Sequence, residues 1–198
     1  MTPPHSVPRS STTAKKANPG PLGLFAFGLT TLMLMYIEAE WAAPGFAEVV
    51  ACTALFFGGV VQLLAGMWEM HRGSTFAATA FSSYGAFWMG FAALRVLKLV
   101  GFTWGADAAG YAQAEALYLG TWGMLSVLFF ALTFAKCVAL RATFALLVAT
   151  FFLLAGGQFD HGARMVGGYV GLACAACAVY TGFGEMVLET YDVRLPGL

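Results

Sequence analysis

Six long apolar runs, roughly Leu22–Ile37, Val49–Trp68, Phe76–Leu94, Ala116–Ala135, Val138–Ala155 and Met165–Phe183, carry no His, Asp, Glu, Lys or Arg at their centres. Most approach the roughly 20 residues that cross about 30 Å of hydrocarbon as a helix. In lipid every backbone N–H and C=O must bond within the protein, which leaves helices and closed barrels as the spanning structures. The runs are continuous, without the apolar/polar alternation of a barrel strand. The chain therefore reads as all-α, a polytopic membrane protein whose six transmembrane helices form one bundle per protomer. A hydrophobic content of 60% against 10% charged residues agrees with that class and not with a soluble domain. The first and fifth runs are short and are expected to extend into their flanks.

Charge sorts the orientation. Arg9, Lys15, Lys16, Arg72, Lys136, Arg141 and Arg194 fall on one side of the segments, and Arg95, Lys98 and Arg164 on the other. Short cytoplasmic connections carry the Lys/Arg excess, so both termini are expected in the cytoplasm, in a plasma (inner) membrane protein. Residues 1–17, rich in Pro, Ser, Thr and Lys, read as a disordered cytoplasmic tail. Residues 18–190 read as the six-helix domain and 191–198 as a short cytoplasmic C-terminal tail. Residues 1–20 lack an apolar core with a cleavage site, so the first membrane helix is expected to act as the insertion signal. Trp41, Trp68 and Trp104 fall at expected segment ends, where interfacial anchors sit. Small residues at four-residue spacing, Ser82, Ala86 and Gly90, then Gly167 and Gly171, predict close helix contacts within or between protomers.

Catalysis and cofactor binding lack their groups. With no histidine at depth, Ser82, Ser83 and Ser126 have no base to activate them, and a haem has no pair of axial imidazoles. His71 and His161 read as solvated loop histidines. Cys52, Cys137, Cys174 and Cys177 lie in or beside apolar segments and read as small apolar side chains. The Cys174 and Cys177 spacing has no second pair or nearby histidine to complete a metal site. The chain is expected to be no enzyme and to hold no metal or cofactor. Equal numbers of basic and acidic residues give no footing for a nucleic-acid partner.

What the interior does offer is neutral hydrogen-bonding groups: Thr30, Thr31, Gln62, Thr79, Ser82, Ser83, Tyr84, Tyr180 and Thr181. Bonding between helices accounts for many such groups. Gln62 stands apart, because its amide cannot satisfy its donors and acceptor on its own helix as a hydroxyl often can. Glu69 and Glu185, at expected cytoplasmic helix ends, are candidate proton or mouth residues. The stretch Asn18-Pro19-Gly20-Pro21-Leu22-Gly23-Leu24 turns the polar tail into the first membrane segment. Its two prolines predict a helix start near Pro21, with a first turn of free N–H groups and partial positive charge that makes a candidate anion-binding mouth.

That stretch resembles the N-P-A-P-L-G-L motif of the acetate uptake transporter family, also called the succinate–acetate permease family, with Gly20 in place of Ala. Phe27-Gly28-Leu29-Thr30-Thr31 continues the likeness. Gly58-Gly59 with Gln62, Ala65-Gly66 and Glu69 is similar to the family's second helix, and Thr75-Phe76 with Ala80-Phe81-Ser82-Ser83-Tyr84-Gly85-Ala86-Phe87-Trp88 to its third. Ser74 stands where the family usually has Asn, and Tyr180 with Gly184-Glu185 matches a last-helix pattern. The likeness covers about residues 18–196. It implies a six-helix protomer with cytoplasmic termini, assembled as a homo-hexamer. Each protomer would carry its own pathway for acetate and similar small monocarboxylates, through a narrow apolar constriction lined by Phe27, Tyr84 and Leu147.

No buried cation is available to offset the desolvation of a crossing carboxylate, so neutral donors are expected to serve. The expected route runs from the first turn (Asn18, Pro19, Pro21, Leu22, Gly23, Leu24) past Thr30, Thr31, Gln62 and Ser83, with Arg95 and Lys98 at the opposite mouth. At the constriction the acid would pass with its proton, or as an anion with a proton carried in parallel. Alternatives are an anion-selective channel-like pore, a wider range that includes succinate, ammonium movement, or a non-transporting sensor or scaffold.

Overall fold

The computed structural model describes residues 17–102 and 107–198. Six helices follow one another: α1 (Gly20–Glu38), α2 (Phe46–Arg72), α3 (Thr75–Leu99), α4 (Ala108–Leu132), α5 (Val138–Gly156) and α6 (His161–Tyr191). A short 3-10 turn, Thr133–Ala135, closes α4. The short connections alternate helix direction, so residue 17 and the C-terminal residues share one face of the bundle, here the terminal face.

Helix ends lie outside the apolar runs because polar caps start and stop them. Asp107 accepts from the Gly110 N–H at 2.8 Å and Asp160 from the Ala163 N–H at 2.6 Å, satisfying first-turn donors that otherwise lack partners. These caps start α4 eight residues before the apolar run at Ala116, and α6 four before Met165. His161 is consequently the first residue of α6, bonded to Glu40 at 2.6 Å, and His71 lies in the last turn of α2. The reading of both as loop histidines is thus corrected. Gly73 ends α2 in the left-handed conformation, φ 82°, which glycine adopts without penalty. Trp104, His5 and the tail up to residue 16 lie outside the described residues.

Among the described residues, five helices are long and apolar enough to cross a membrane: Gly20–Glu38, Phe46–Arg72, Ala109–Ala135, Val138–Gly156 and His161–Tyr191. The remaining one, α3, spans 25 residues and carries Thr79, Ser82, Ser83 and Tyr84 within its length. Within α2, residues Ala54–Val61 form a π-helix. This wider turn ends immediately before Gln62, and such segments often mark functional positions.

Helix α1 packs between α2 and α6, α6 lies against α5, α5 against α4, and α2 against α3. Glycines permit the closest approaches. A Cβ on Gly85 of α3 would stand 2.9 Å from the Leu63 N–H nitrogen of α2, and one on Gly167 of α6 would stand 2.9 Å from Leu154 of α5. Gly167 and Gly171 are therefore spent on contacts inside the protomer, whereas Ala86 faces outward. On α4, Leu117, Met124, Leu128 and Leu132 are exposed, an apolar outer face suited to lipid or a neighbouring protomer. Past Tyr191 the chain folds back on the terminal face. The Gly197 carbonyl accepts from the Ala139 N–H in the first turn of α5, and the Pro196 carbonyl accepts from the Tyr180 hydroxyl at 2.8 Å.

Candidate functional site

Two cavities enter the bundle from opposite faces and share two lining residues. The terminal-face cavity, about 560 Å³, is lined by Asn18, Leu24, Gln62, Glu69, Arg72 and Glu185, among others, and reaches Phe27, Tyr84 and Leu147 at its inner end. The opposite cavity, about 90 Å³, is lined by Thr31, Trp88, Arg95, Lys98 and Glu115, among others, and also reaches Phe27 and Leu147. The partition between them is apolar. Phe27, Leu147 and Tyr84 are buried, and the Phe27 and Tyr84 rings lie 5.7 Å apart, centroid to centroid.

Tyr84 presents its ring to this partition and directs its hydroxyl elsewhere. Ser126 donates to the Trp122 carbonyl at 2.8 Å, so the Tyr84 hydroxyl, 2.8 Å from Ser126 Oγ, is the donor in that contact. The hydroxyl is thereby tied to α4. Phe129 and Phe144 pack against the same ring, and Phe76 packs on both of them. No donor of Tyr84 remains for a solute at the narrowest point, where an unpaired carboxylate would be heavily penalised.

Polar groups flank the partition. Gln62 is fully buried, lines the terminal-face cavity, and neither its Nε2 nor its Oε1 has a bonded partner among the described residues. The hydrogen-bonding capacity of its amide is therefore unfilled among the described residues. On the other side Thr31 and Thr150 bond back to the carbonyls of Phe27 and Leu146 at 2.8 Å, while the Trp88 Nε1 has no partner among the described residues. Arg95 lies over the Phe91 ring at 5.2 Å and Lys98 over the Tyr111 ring at 5.9 Å. Neither forms an ion pair with a carboxylate among the described residues; the nearby Glu38 is held by Arg164 at 2.6 Å.

The terminal mouth differs from the expectation of free helix-start N–H groups. Helix α1 begins at Gly20, next to Pro21 as expected, but Gly23 donates to the Pro19 carbonyl at 3.1 Å. Gly20 donates to Asn18 Oδ1 at 3.0 Å. Pro19 and Pro21 have no N–H to give, and Leu24 already lies within the helix. The polar groups gathered at this mouth are mainly side chains. Asn18 Oδ1 also accepts from Arg72, Asn18 Nδ2 donates to Glu185 Oε2 at 2.7 Å, and Arg72 pairs with Glu69 at 3.4 Å.

Of the residues singled out in the sequence, Asn18, Leu24, Phe27, Gln62, Tyr84, Leu147, Glu69 and Glu185 converge on the terminal-face cavity, and Thr31, Arg95 and Lys98 on the opposite one. Pro19, Pro21 and Gly23 shape the α1 start behind the lining, Gly23 packing on Phe81. Leu22 is exposed, and Ser83 and the fully buried Thr30 line neither cavity. Sequence reasoning assigned no site role to Arg72, Lys136, Ser126 or the Phe76 and Phe144 rings. Arg72 and Lys136 look like ordinary connection charges until the bundle closes around them.

A family model described as the GPR1/FUN34/yaaH family matches residues 3–194. The chain is 37% identical over 180 residues to the succinate-acetate/proton symporter SatP of Escherichia coli (strain K12), covering 89% of this chain and 92% of that one. It is 37% identical over 187 residues to acetate permease A of Emericella nidulans, covering 87% of this chain and 62% of that one. The solved structure of the bacterial acetate channel SatP superposes with a TM-score of 0.85 at 35% identity, covering 93% of this chain and 100% of that one. On the extent of these matches, the chain belongs to the GPR1/FUN34/yaaH family.

Proposed function

We propose that the protein carries acetate and related small monocarboxylates, and the dicarboxylate succinate as well, across a membrane together with protons, through a pathway inside each protomer. The observation that carries the reading is the pair of cavities meeting at one apolar partition, Phe27 and Leu147, with Tyr84 beside it. An unpaired carboxylate is costly in such a partition and its neutral acid much less so. The proton therefore travels with the acid across the narrowest point. Gln62 bonds the carboxyl group on the terminal side, and Arg95 and Lys98 gather the anion at the opposite mouth. Asn18 and the α1 start form the terminal mouth, which faces the cytoplasm of a plasma (inner) membrane. The names of the relatives, a symporter and a permease, support this substrate class, and the solved neighbour's name supports a channel-like passage.

The homo-hexamer rests on the family resemblance and is consistent with the apolar outer face of α4. The protein acts as a transporter and not an enzyme, and Phe27, Tyr84 and Leu147 are its constriction. The test is uptake of radiolabelled acetate into proteoliposomes containing the purified protein. Wild-type protein takes up acetate, and Phe27→Ala and Tyr84→Ala change its rate. No uptake in any version would favour a sensor or scaffold and overturn the reading.

A further inference from the structure

The carboxylate nearest the terminal mouth belongs to the protein itself. Glu185 Oε2 accepts from Asn18 Nδ2 at 2.7 Å, and it reaches that position because residue 20 lacks a side chain: a Cβ on Gly20 would stand 2.6 Å from Glu185 Oε2. Gly20 is also the motif position where the chain departs from the alanine of the family it resembles. Asn18 Oδ1 already accepts from Gly20 and Arg72, and Glu185 takes one of the two Nδ2 N–H groups. Nδ2 is the donor atom an incoming carboxylate would use, and the Glu185 carboxylate both occupies one of its N–H groups and sets a negative charge against an anion approaching the other.

We infer that Glu185 competes with the transported carboxylate for Asn18 and that its protonation opens this site. The inference rests on the proposed transport of small carboxylates. In the ionised state the Glu185 carboxylate accepts from Asn18 Nδ2, the place a substrate anion needs. When an acid arrives from the constriction, its proton passes to Glu185 and the resulting substrate anion takes the Asn18 N–H. The anion then leaves to the terminal-face solution, Glu185 releases its proton to water, and its carboxylate returns to Asn18. One acid enters the cavity, and one anion and one proton leave it.

The groups facing Glu185 divide in sign. Glu69 of α2 opposes a second negative charge in the cavity, whereas Arg72 of α2 favours one. Lys136 and Cys137, before α5, line the same space, and Lys136 pairs with no carboxylate among the described residues, lying instead over the Phe76 ring at 5.4 Å. Helix α5 adds only Leu140, Thr143, Phe144 and Leu147 to the lining. Arg72 and Lys136 therefore remain to draw the substrate anion in whichever state Glu185 occupies.

The experiment is acetate exchange in proteoliposomes held at equal pH on both sides, from about pH 5 to about pH 8, a range that spans protonated and ionised carboxylates in partly buried sites. The half-saturating acetate concentration is measured for wild type, Glu185→Gln and Gly20→Ala. The dependence of acetic acid abundance on pH is common to all three and cancels in their ratio. The ratio of wild type to Glu185→Gln is expected near one at the acid end and about tenfold at the alkaline end, the effect of one competing hydrogen bond. Gly20→Ala, which pushes the carboxylate off Asn18 yet keeps it titratable, shifts in the same direction by less. A ratio that stays constant with pH, in either variant that exchanges acetate, overturns the inference. Failure of wild-type protein to exchange acetate at all would instead overturn the transport reading beneath it.

Discussion

Replacing Gln62 with leucine separates function from stability, because the two effects have opposite signs. Gln62 is fully buried, and its amide has no partner among the described residues. An unsatisfied buried polar group costs about 1–3 kcal/mol. Water entering the cavity can meet part of that need, so Gln62→Leu should gain about 1 kcal/mol, at the low end of that range. For a chain of this size that raises the thermal midpoint by about 2–4 °C. The same substitution removes the donor offered to the substrate. A hydrogen bond to a charged group is worth about 1.5–3 kcal/mol, so the half-saturating acetate concentration should rise by roughly 10- to 150-fold. Thermal unfolding in detergent and concentration-dependent uptake in proteoliposomes measure both arms on one preparation. A Gln62→Leu protein that transports with wild-type affinity, or that melts earlier, would refute the reasoning.

Tyr84→Phe keeps the ring at the constriction and removes a hydroxyl tied to Ser126; uptake should stay within about twofold of wild type, while stability falls by about 1 kcal/mol, as seen in denaturation midpoints. Gly171→Leu drives a side chain into Met35 and Thr150 where α6 meets α1 and α5. It should destabilise the bundle by about 1–3 kcal/mol or more, read as a lower thermal midpoint. Removing residues 195–198 frees the Ala139 N–H and the Tyr180 hydroxyl. The midpoint should then fall by a few degrees, about 1 kcal/mol per lost bond, with acetate affinity unchanged.

The helices were legible because apolar length in lipid admits few structures, and the absence of charge at depth singled out neutral groups such as Gln62, whereas the Phe27 and Tyr84 rings came from the family resemblance. Helix ends were less legible. Asp107 starts α4 well before hydropathy rises, and a cap depends on one side chain, not on a periodic pattern. The π-helix before Gln62 left no mark, because a shift in backbone register has no compositional signature. Of the first-turn N–H groups near Pro21, those of Gly20 and Gly23 are taken by Asn18 Oδ1 and the Pro19 carbonyl, bonds that a sequence pattern does not reveal. Arg72 and Lys136 escaped notice as site residues for a different reason. Each lies at the end of a segment, and only the closure of α2, α5 and α6 around one cavity makes them neighbours of Asn18 and Glu185.

The central claim is that a small carboxylate crosses an apolar constriction with its proton. Recording internal pH and radiolabelled acetate together in the same proteoliposomes, with no membrane potential, tests it most directly. The account predicts that each acetate taken up carries about one proton, and that an inward proton gradient raises the uptake rate. Acetate uptake without accompanying acidification, at a rate indifferent to the gradient, would contradict it.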